Sequence, residues 1–74
     1  MPDLTRQEVI KILAVTDGAR LGGVDLSGVD LSGLNLSRAD LIRANLQGAN
    51  LTDANLFRTD LEGAILTGVI GFER

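Results

Sequence analysis

Apolar and polar positions repeat with a period of five residues through most of the chain. Leucine recurs at every fifth position, ten times in succession, at Leu21, Leu26, Leu31, Leu36, Leu41, Leu46, Leu51, Leu56, Leu61 and Leu66. A small or aliphatic residue stands two places before each leucine, and the residue between them is usually Asp or Asn. Two positions rich in Gly, Ser and Arg follow the leucine. The chain from residue 19 to residue 68 is therefore an internal repeat of ten pentads.

A period of five fits neither the 3.6-residue turn of a helix nor the two-residue alternation of a plain strand. Within a pentad the apolar first and third positions flank a polar second, which predicts three residues of half-buried strand. The last two positions predict a change of chain direction, since glycine adopts backbone conformations barred to other residues. Four such corners close a square coil of about twenty residues, and neighbouring coils stack about 4.8 Å apart. We expect the leucines and the small first residues to fill a narrow tube.

These pentads closely resemble the pentapeptide-repeat family, whose consensus is Ala, then Asp or Asn, then Leu, then two variable residues. The resemblance covers residues 19–68 and implies an all-β solenoid, a right-handed quadrilateral β-helix of about two and a half coils at four pentads each. Three residues depart from the family pattern. Leu34 is large for its site, Arg20 stands where the family has Asp or Asn, and Ile65 is apolar where the family is polar. Because the next central position holds Gly71, we expect the array to end there.

The sequence predicts three segments: an N-terminal capping helix in residues 1–18, ten pentapeptide repeats in residues 19–68, and a C-terminal tail or dimer interface in residues 69–74. The capping helix is expected from about Arg6 to Val15. The run Thr5-Arg6-Gln7-Glu8 is a capping box, Leu4 and Val9 form the accompanying hydrophobic staple, and Gly18 stands where it can end the helix. We expect this helix to lie across the first coil as a short structural cap.

The C-terminal end has no second helix and carries large apolar residues instead. Two and a half coils fall below the roughly three units that a solenoid needs for a self-supporting core. We therefore expect a homodimer joined end to end through Ile65, Ile70 and Phe72. Alternatively, the tail folds over its own last coil, or the chain is a fragment of a longer array. A continuing array would place Asp or Asn at positions 65 and 70, so the isoleucines there favour a true end.

The amino-acid composition limits the functions that this chain can have. The 74 residues are 45% apolar but only 3% aromatic, which suits a tube packed with Leu and Ala. With no His and no Cys, the commonest general base, the commonest metal ligand and any thiolate are missing, so we expect no enzyme activity, no cofactor and no metal site.

The net charge of −3 argues against a nucleic-acid binder. No apolar run is long enough for a signal peptide or membrane span, so we expect no membrane association and a cytoplasmic location.

Outward positions suggest one partner surface. Arg38, Ile42, Arg43, Phe57 and Arg58 are expected to lie together on adjoining faces, and Arg with aromatic residues is favoured at the centres of interfaces. The alternative is that scattered exposed apolar residues need no explanation.

Two other sets of outward residues have structural interpretations. Residues twenty apart should stack, which places Asp40 beside Asp60 and Arg38 beside Arg58 and predicts two surface ion-pair ladders. The polar second positions are expected to bond to nearby backbone and help the chain turn, at Asp25, Asn35, Asn45 and Asn55.

The sequence favours a non-enzymatic protein-interaction or scaffolding module with an unidentified protein partner. The alternative comes from the resemblance: long acidic family members resemble DNA and occupy the DNA-binding surface of gyrase and other type II topoisomerases. Two and a half coils at about 4.8 Å each rise only about 12 Å. This length equals about three and a half base pairs, which disfavours the DNA-mimic alternative.

Overall fold

A computed structural model describes residues 1–72. Its one helix in this range, α1, spans Arg6–Val15, and the chain after it winds into a coil held by parallel β-bridges. Every bridge joins residues twenty apart: Arg20 with Asp40, Asp25 with Asn45, Asp30 with Asn50, Asn35 with Asn55, Asp40 with Asp60, Asn45 with Ile65, and Asn50 with Ile70. The prediction of a twenty-residue coil of four pentads is confirmed. Within residues 1–72, no helix is long and apolar enough to span a membrane.

Each pentad is a single bridging residue followed by a tight turn. The backbone N–H of Val24 donates to the carbonyl of Leu21 at 3.2 Å, and the bond from Val29 to Leu26 repeats it at 3.1 Å. The intervening Gly23 has a φ of +71°, and a positive φ at the third residue is typical of a type II turn. The predicted three-residue strands are therefore wrong in the described part of the chain, where no strand exceeds one bridging residue. The turn already starts at the leucine, which leaves only the second pentad residue to pair.

The side chain at the polar second position forms a hydrogen bond with the backbone of the turn that follows it. The side-chain oxygen of Asn35 accepts the N–H of Ser37 at 3.1 Å, and that of Asn45 accepts the N–H of Gln47 at 3.1 Å. The same bond to the residue two places on is made by Asp25, Asp30, Asp40, Asn50, Asn55 and Asp60. The predicted bonding of these side chains to nearby backbone is confirmed. It explains why Asp or Asn fills the second pentad position in most repeats.

The core is a column of leucines and small residues along the tube axis. The inward leucines are fully buried in the first coil and most of the second: Leu21, Leu26, Leu31, Leu36, Leu41, Leu46 and Leu51. Their neighbours in the core are Val9 of α1 and the first-position residues Ala19, Val29, Ala39, Ala44 and Ala49. Leu34, large for its position, is only half-buried and borders a cleft of about 310 Å³ beside α1.

Helix α1 covers the N-terminal end of the tube. The Thr5 hydroxyl accepts the N–H of Glu8 at 3.2 Å, and the Glu8 carboxylate accepts the N–H of Thr5 at 2.8 Å, so the capping box and helix start are confirmed. The Arg6 guanidinium donates to the carbonyl of Asp30 at 2.9 Å and fastens the helix to the first coil. The helix ends as predicted at Val15, but its C-cap is the extended Thr16. The predicted role of Gly18 is thus wrong, since its positive φ comes two residues beyond the cap.

The C-terminal end of the tube is less well covered. Leu56, Leu61 and Leu66 are only half-buried, because no coil lies beyond them within residues 1–72. Gly71 has a φ of +76° and sits so close to Thr52 that a Cβ there would lie 2.5 Å from the threonine hydroxyl oxygen. Half-buried Phe72 packs against the core. The last two positions of the predicted 69–74 segment, Glu73 and Arg74, lie outside the described residues.

Candidate interaction surfaces

The first candidate surface, here called the arginine face, comprises Arg38, Ile42, Arg43, Phe57 and Arg58. The structure places three of these residues at one corner of the coil. The N–H of Arg38 donates to the carbonyl of Phe57 at 2.8 Å, which stacks Arg38 directly beside the Phe57–Arg58 turn of the next coil. The Arg58 guanidinium lies 5.4 Å from the centre of the Phe57 ring, within the range of a cation–π contact. Phe57 itself is 61% exposed.

The other two residues of the arginine face lie at the following corner, one pentad along the chain. The carbonyl of Ile42 accepts the N–H of Gly23 at 2.8 Å, and the N–H of Arg43 donates to the carbonyl of Glu62 at 2.8 Å. Arg43 is exposed, whereas Ile42 is half-buried and less available than expected from the sequence. Phe57 is therefore the main apolar group of this face.

The predicted ion-pair ladders beside these arginines are wrong in the described part of the chain. The ion pair found among residues 1–72 is a different one, between Arg6 and Asp30 at 3.4 Å. The carboxylate of Asp40 instead accepts the N–H of Ile42 at 3.0 Å, and that of Asp60 accepts the N–H of Glu62 at 3.1 Å. Each of these acids is hydrogen-bonded to the backbone of its own turn, and neither lies within ion-pair distance of an arginine in residues 1–72.

The backbone of the arginine face has a property that the sequence analysis missed. The fifth residue of each pentad from 19 to 68 has a left-handed φ, and glycine fills six of these ten positions. The four exceptions are Arg38, Arg43, Asp53 and Arg58, with φ between +60° and +63°. Three of the four belong to the arginine face. The sequence carries a sign of this property, because Arg replaces Gly at the fifth position of three pentads.

The second candidate surface is the C-terminal end of the tube. Ile65 and Ile70 are 47% and 56% exposed, and they continue the outward columns of Asn45 and Asn50. They thus lie on the sides of the last coil, near its rim. Half-buried Phe72 lies closer to the core. A hollow of about 500 Å³ at this end is bordered by Leu51, Thr52, Asp53, Ala54, Leu56 and Gly71.

The described residues contain few of the groups from which active sites are usually built. The sequence has no His and no Cys, and no group of three or more acidic side chains that could hold a metal ion occurs within residues 1–72. Hydrogen bonds from Ser27 and Ser32 hold the pKa of the Asp25 and Asp30 carboxyls below the ordinary value. A lowered pKa keeps a carboxyl ionised, which is the opposite of what a general acid requires.

Comparison with known proteins agrees with this geometry. The family model described as Pentapeptide repeats matches residues 35–70 with eight copies. A solved structure that the chain resembles is that of a pentapeptide repeat protein, Rfr23, from the cyanobacterium Cyanothece 51142, at 42% sequence identity and a TM-score of 0.68. The match covers 72% of this chain and 37% of the Rfr23 chain, so the present sequence spans little more than a third of that protein. No curated protein gives a significant match. With its twenty-residue coil, inward leucines and Asp or Asn turns, this chain belongs to the pentapeptide-repeat family.

Proposed function

We propose that this chain is a non-enzymatic interaction module that binds another protein through the arginine face. The observation that carries the proposal is the exposure of Phe57, one of only two phenylalanines, at 61% on the side of the coil. Large apolar side chains are otherwise directed mainly to the core, and Arg and Phe together are enriched at the centres of protein interfaces. Membership of a family of repeat modules supports the same conclusion.

The backbone of Phe57 is held on both sides. Its carbonyl accepts the N–H of Arg38 at 2.8 Å, and its own N–H donates to the Asn55 side chain at 3.0 Å. The Arg58 guanidinium stacks on the ring. A residue already ordered in this way loses little conformational entropy when a partner binds, which favours affinity.

The test is an affinity capture from native extract with three forms of the full chain: the wild type, Phe57→Asp and Gln47→Asp. Gln47 is the matched control, because it is an exposed fourth-position residue like Phe57. We expect the wild type and the Gln47→Asp variant to retain the same protein, identified by mass spectrometry, and Phe57→Asp to lose it. Retention of the same set by all three forms would refute binding through this face.

The module is further proposed to be a homodimer joined through its C-terminal end, including Ile65, Ile70 and Phe72. In the earlier coils each inward leucine donates its N–H to the next coil, as Leu51 does to Ile70 at 2.7 Å. Within residues 1–72, the N–H groups of Leu56, Leu61 and Leu66 make no such bond, and their side chains are half-buried. An unpaired edge beside apolar surface is a template for pairing with another chain.

Sedimentation equilibrium over the micromolar range tests the dimer. We expect the wild type to dimerise, and Ile70→Lys and Phe72→Ser to shift the equilibrium to monomer, because each removes apolar surface from this end. Phe57→Asp serves as the control that stays dimeric. A wild type that remains monomeric throughout, or variants that dimerise equally well, contradicts the proposal.

A DNA-mimic inhibitor of gyrase is not favoured by the structure. The exposed arginines of the arginine face place positive charge where a phosphate mimic requires negative charge. The right-handed sense of the coil, which the resemblance implies, and a cytoplasmic location stay predictions.

A further inference from the structure

Resting on the proposed function, we propose that the arginine face binds an acidic segment of the partner protein, whose carboxylates pair with Arg38 and Arg58 beside the Phe57 ring. The proposal identifies the partner by its chemistry: side-chain carboxylates next to an apolar or aromatic residue.

The first argument is the uncompensated charge of two stacked arginines. Arg38 and Arg58 occupy the same corner of successive coils, which are spaced about 4.8 Å apart. Like charges directly opposite one another on adjacent strands are destabilising. Neither arginine forms an ion pair within residues 1–72, and the neighbouring acid Asp40 accepts the backbone N–H of Ile42. A carboxylate from outside the chain would remove the repulsion, because guanidinium and carboxylate groups pair in a bidentate manner.

The second argument is backbone strain at these arginines. Arg38, Arg43 and Arg58 have φ values of +63°, +60° and +60°, in the left-handed region where glycine is preferred. Six of the other fifth positions hold glycine in the same conformation. The three arginines are therefore less favourable for folding than glycine would be, and strained backbone of this kind clusters at binding sites.

The third argument is space for a ligand. Residues twenty apart in the sequence form a column along the tube. Gly18 precedes Arg38 in one column, and Gly23 and Gly63 lie on either side of Arg43 in the neighbouring column. A Cβ at Gly63 would come within 3.2 Å of Cγ of Arg43, so the arginine stem lies over this glycine. Arg38, Arg43 and Arg58 are all exposed, and these glycines add no side chain beside them in the two columns.

An acidic protein segment suits this face better than DNA or a membrane does. The chain has a net charge of −3, and the N–H of Arg43 donates to the carbonyl of Glu62, which places this acid beside the arginine face, so an extended polyanion would be repelled beyond the immediate contact. A short segment meets only the local positive charge. Phe57 provides an apolar surface that a nucleic-acid backbone would not use.

The experiment measures the anisotropy of a fluorescein-labelled peptide with four glutamates around one phenylalanine, titrated with the full chain. The control peptide has glutamine in place of every glutamate. We expect binding of the glutamate peptide that weakens with added salt, and binding of the glutamine peptide about tenfold weaker or more. The double variant Arg38→Gly/Arg58→Gly should lose about tenfold or more in affinity.

Asp53→Gly is the matched control variant, because Asp53 shares the fifth position and its left-handed φ but lies outside the arginine face. It should bind the glutamate peptide at least as well as the wild type. Glycine suits the backbone at all three sites, so these variants are expected to melt at or above the wild-type temperature, which separates loss of binding from loss of folding.

Four results would overturn the inference: no binding of the glutamate peptide, equal binding of the glutamine peptide, unchanged affinity in the double variant, or tighter binding of a short DNA duplex or of phosphatidylserine vesicles. Failure here is distinguishable from failure of the proposed function. If Phe57→Asp loses the partner captured from extract while Arg38→Gly/Arg58→Gly retains it, the interaction module stands and the acidic segment is refuted.

Discussion

The fifth position of the pentad requires a left-handed backbone, and at some sites this requirement acts without any packing constraint. Gly28 shows this most clearly. Its φ is +71°, and no atom lies within 4 Å of the place that a Cβ would occupy. Any loss of stability on adding a side chain here comes from the left-handed backbone alone, because there is nothing for the side chain to strike.

We predict that Gly28→Ala lowers the free energy of unfolding by about 1–2 kcal/mol, the usual difference for a residue with Cβ in the left-handed region. Urea denaturation of the purified chain measures it. The control Gln47→Ala, at an exposed fourth position, should stay within about 0.5 kcal/mol of the wild type. Equal stability of Gly28→Ala and the wild type would show that the turn tolerates a side chain without strain.

A second residue-scale prediction concerns the pKa of Asp30. The hydroxyl of Ser32 donates to its carboxylate at 2.6 Å and the Ser32 N–H at 3.0 Å, and these bonds, with a smaller effect of Arg6, hold the pKa below the usual 3.8. Because the folded pKa is depressed, the stabilisation is present above the unfolded pKa and is lost as pH falls through the folded value.

Ser32→Ala should therefore raise the pKa of Asp30 towards its usual value and remove its stabilising contribution near neutral pH, so the variant differs from the wild type less and less as the pH falls through the folded pKa. Titration of the carboxyl carbon by NMR measures the change. Ser37→Ala, beside the uncharged Asn35, is the control and should leave the pKa of Asp30 unaltered. No shift in Ser32→Ala would mean that the hydroxyl does not bond to the carboxylate in solution.

Among the elements of the fold, α1 is the one whose start is fixed by contacts between its own neighbouring residues. Its first turn is fixed by the reciprocal bonds of Thr5 and Glu8, and its inner face contributes the fully buried Val9 to the core. The helix is short, at ten residues, and isolated helices of this length are marginal in water. Its persistence depends on both the cap and the coil beneath it.

We predict that Thr5→Ala lowers the free energy of unfolding by about 1 kcal/mol, because the N–H of Glu8 loses its acceptor. Circular dichroism during urea denaturation measures both helix content and stability. Thr5→Ser keeps the hydroxyl and should behave like the wild type. Comparable losses in the Ala and Ser variants would attribute the effect to packing of the threonine methyl instead of capping.

Across the whole molecule, burial of equivalent leucines falls from the N-terminal end to the C-terminal end. Leu36 lies inside the coil and is fully buried, while Leu66 occupies the same pentad site but is half-buried. The difference arises because a solenoid core is formed by stacking, so each leucine needs cover on both sides, from a neighbouring coil or from α1.

Leu36→Ala should lower the free energy of unfolding by about 3 kcal/mol, within the usual range for a buried leucine, and Leu66→Ala by less than half as much. Urea denaturation at low protein concentration makes the comparison in the monomer. If the C-terminal ends pair, the loss in Leu66→Ala should grow as protein concentration rises, whereas that in Leu36→Ala should not. Equal losses at all concentrations would show that Leu66 is already covered within one chain.

Much of this architecture could be predicted from the sequence because it is local and repeated. The start of α1 followed from Thr5 and Glu8, and the coil length followed from the leucine period. The single-residue bridges could not be foreseen, since apolar alternation does not reveal that a turn begins at the leucine. The strain at Arg38 and Arg58 was equally hidden, because it is a property of φ and not of composition.

The sequence by itself determined the coil, because ten repeats of one short pattern direct a leucine inward and place a turn in every pentad. The tertiary structure decided what the charges do. Asp40 and Asp60 each accept a backbone N–H two residues away, and within residues 1–72 neither carboxylate comes within ion-pair distance of an arginine of the corner. These distances are set only in the folded chain, and they leave the guanidiniums of the arginine face without an ion-pair partner in residues 1–72.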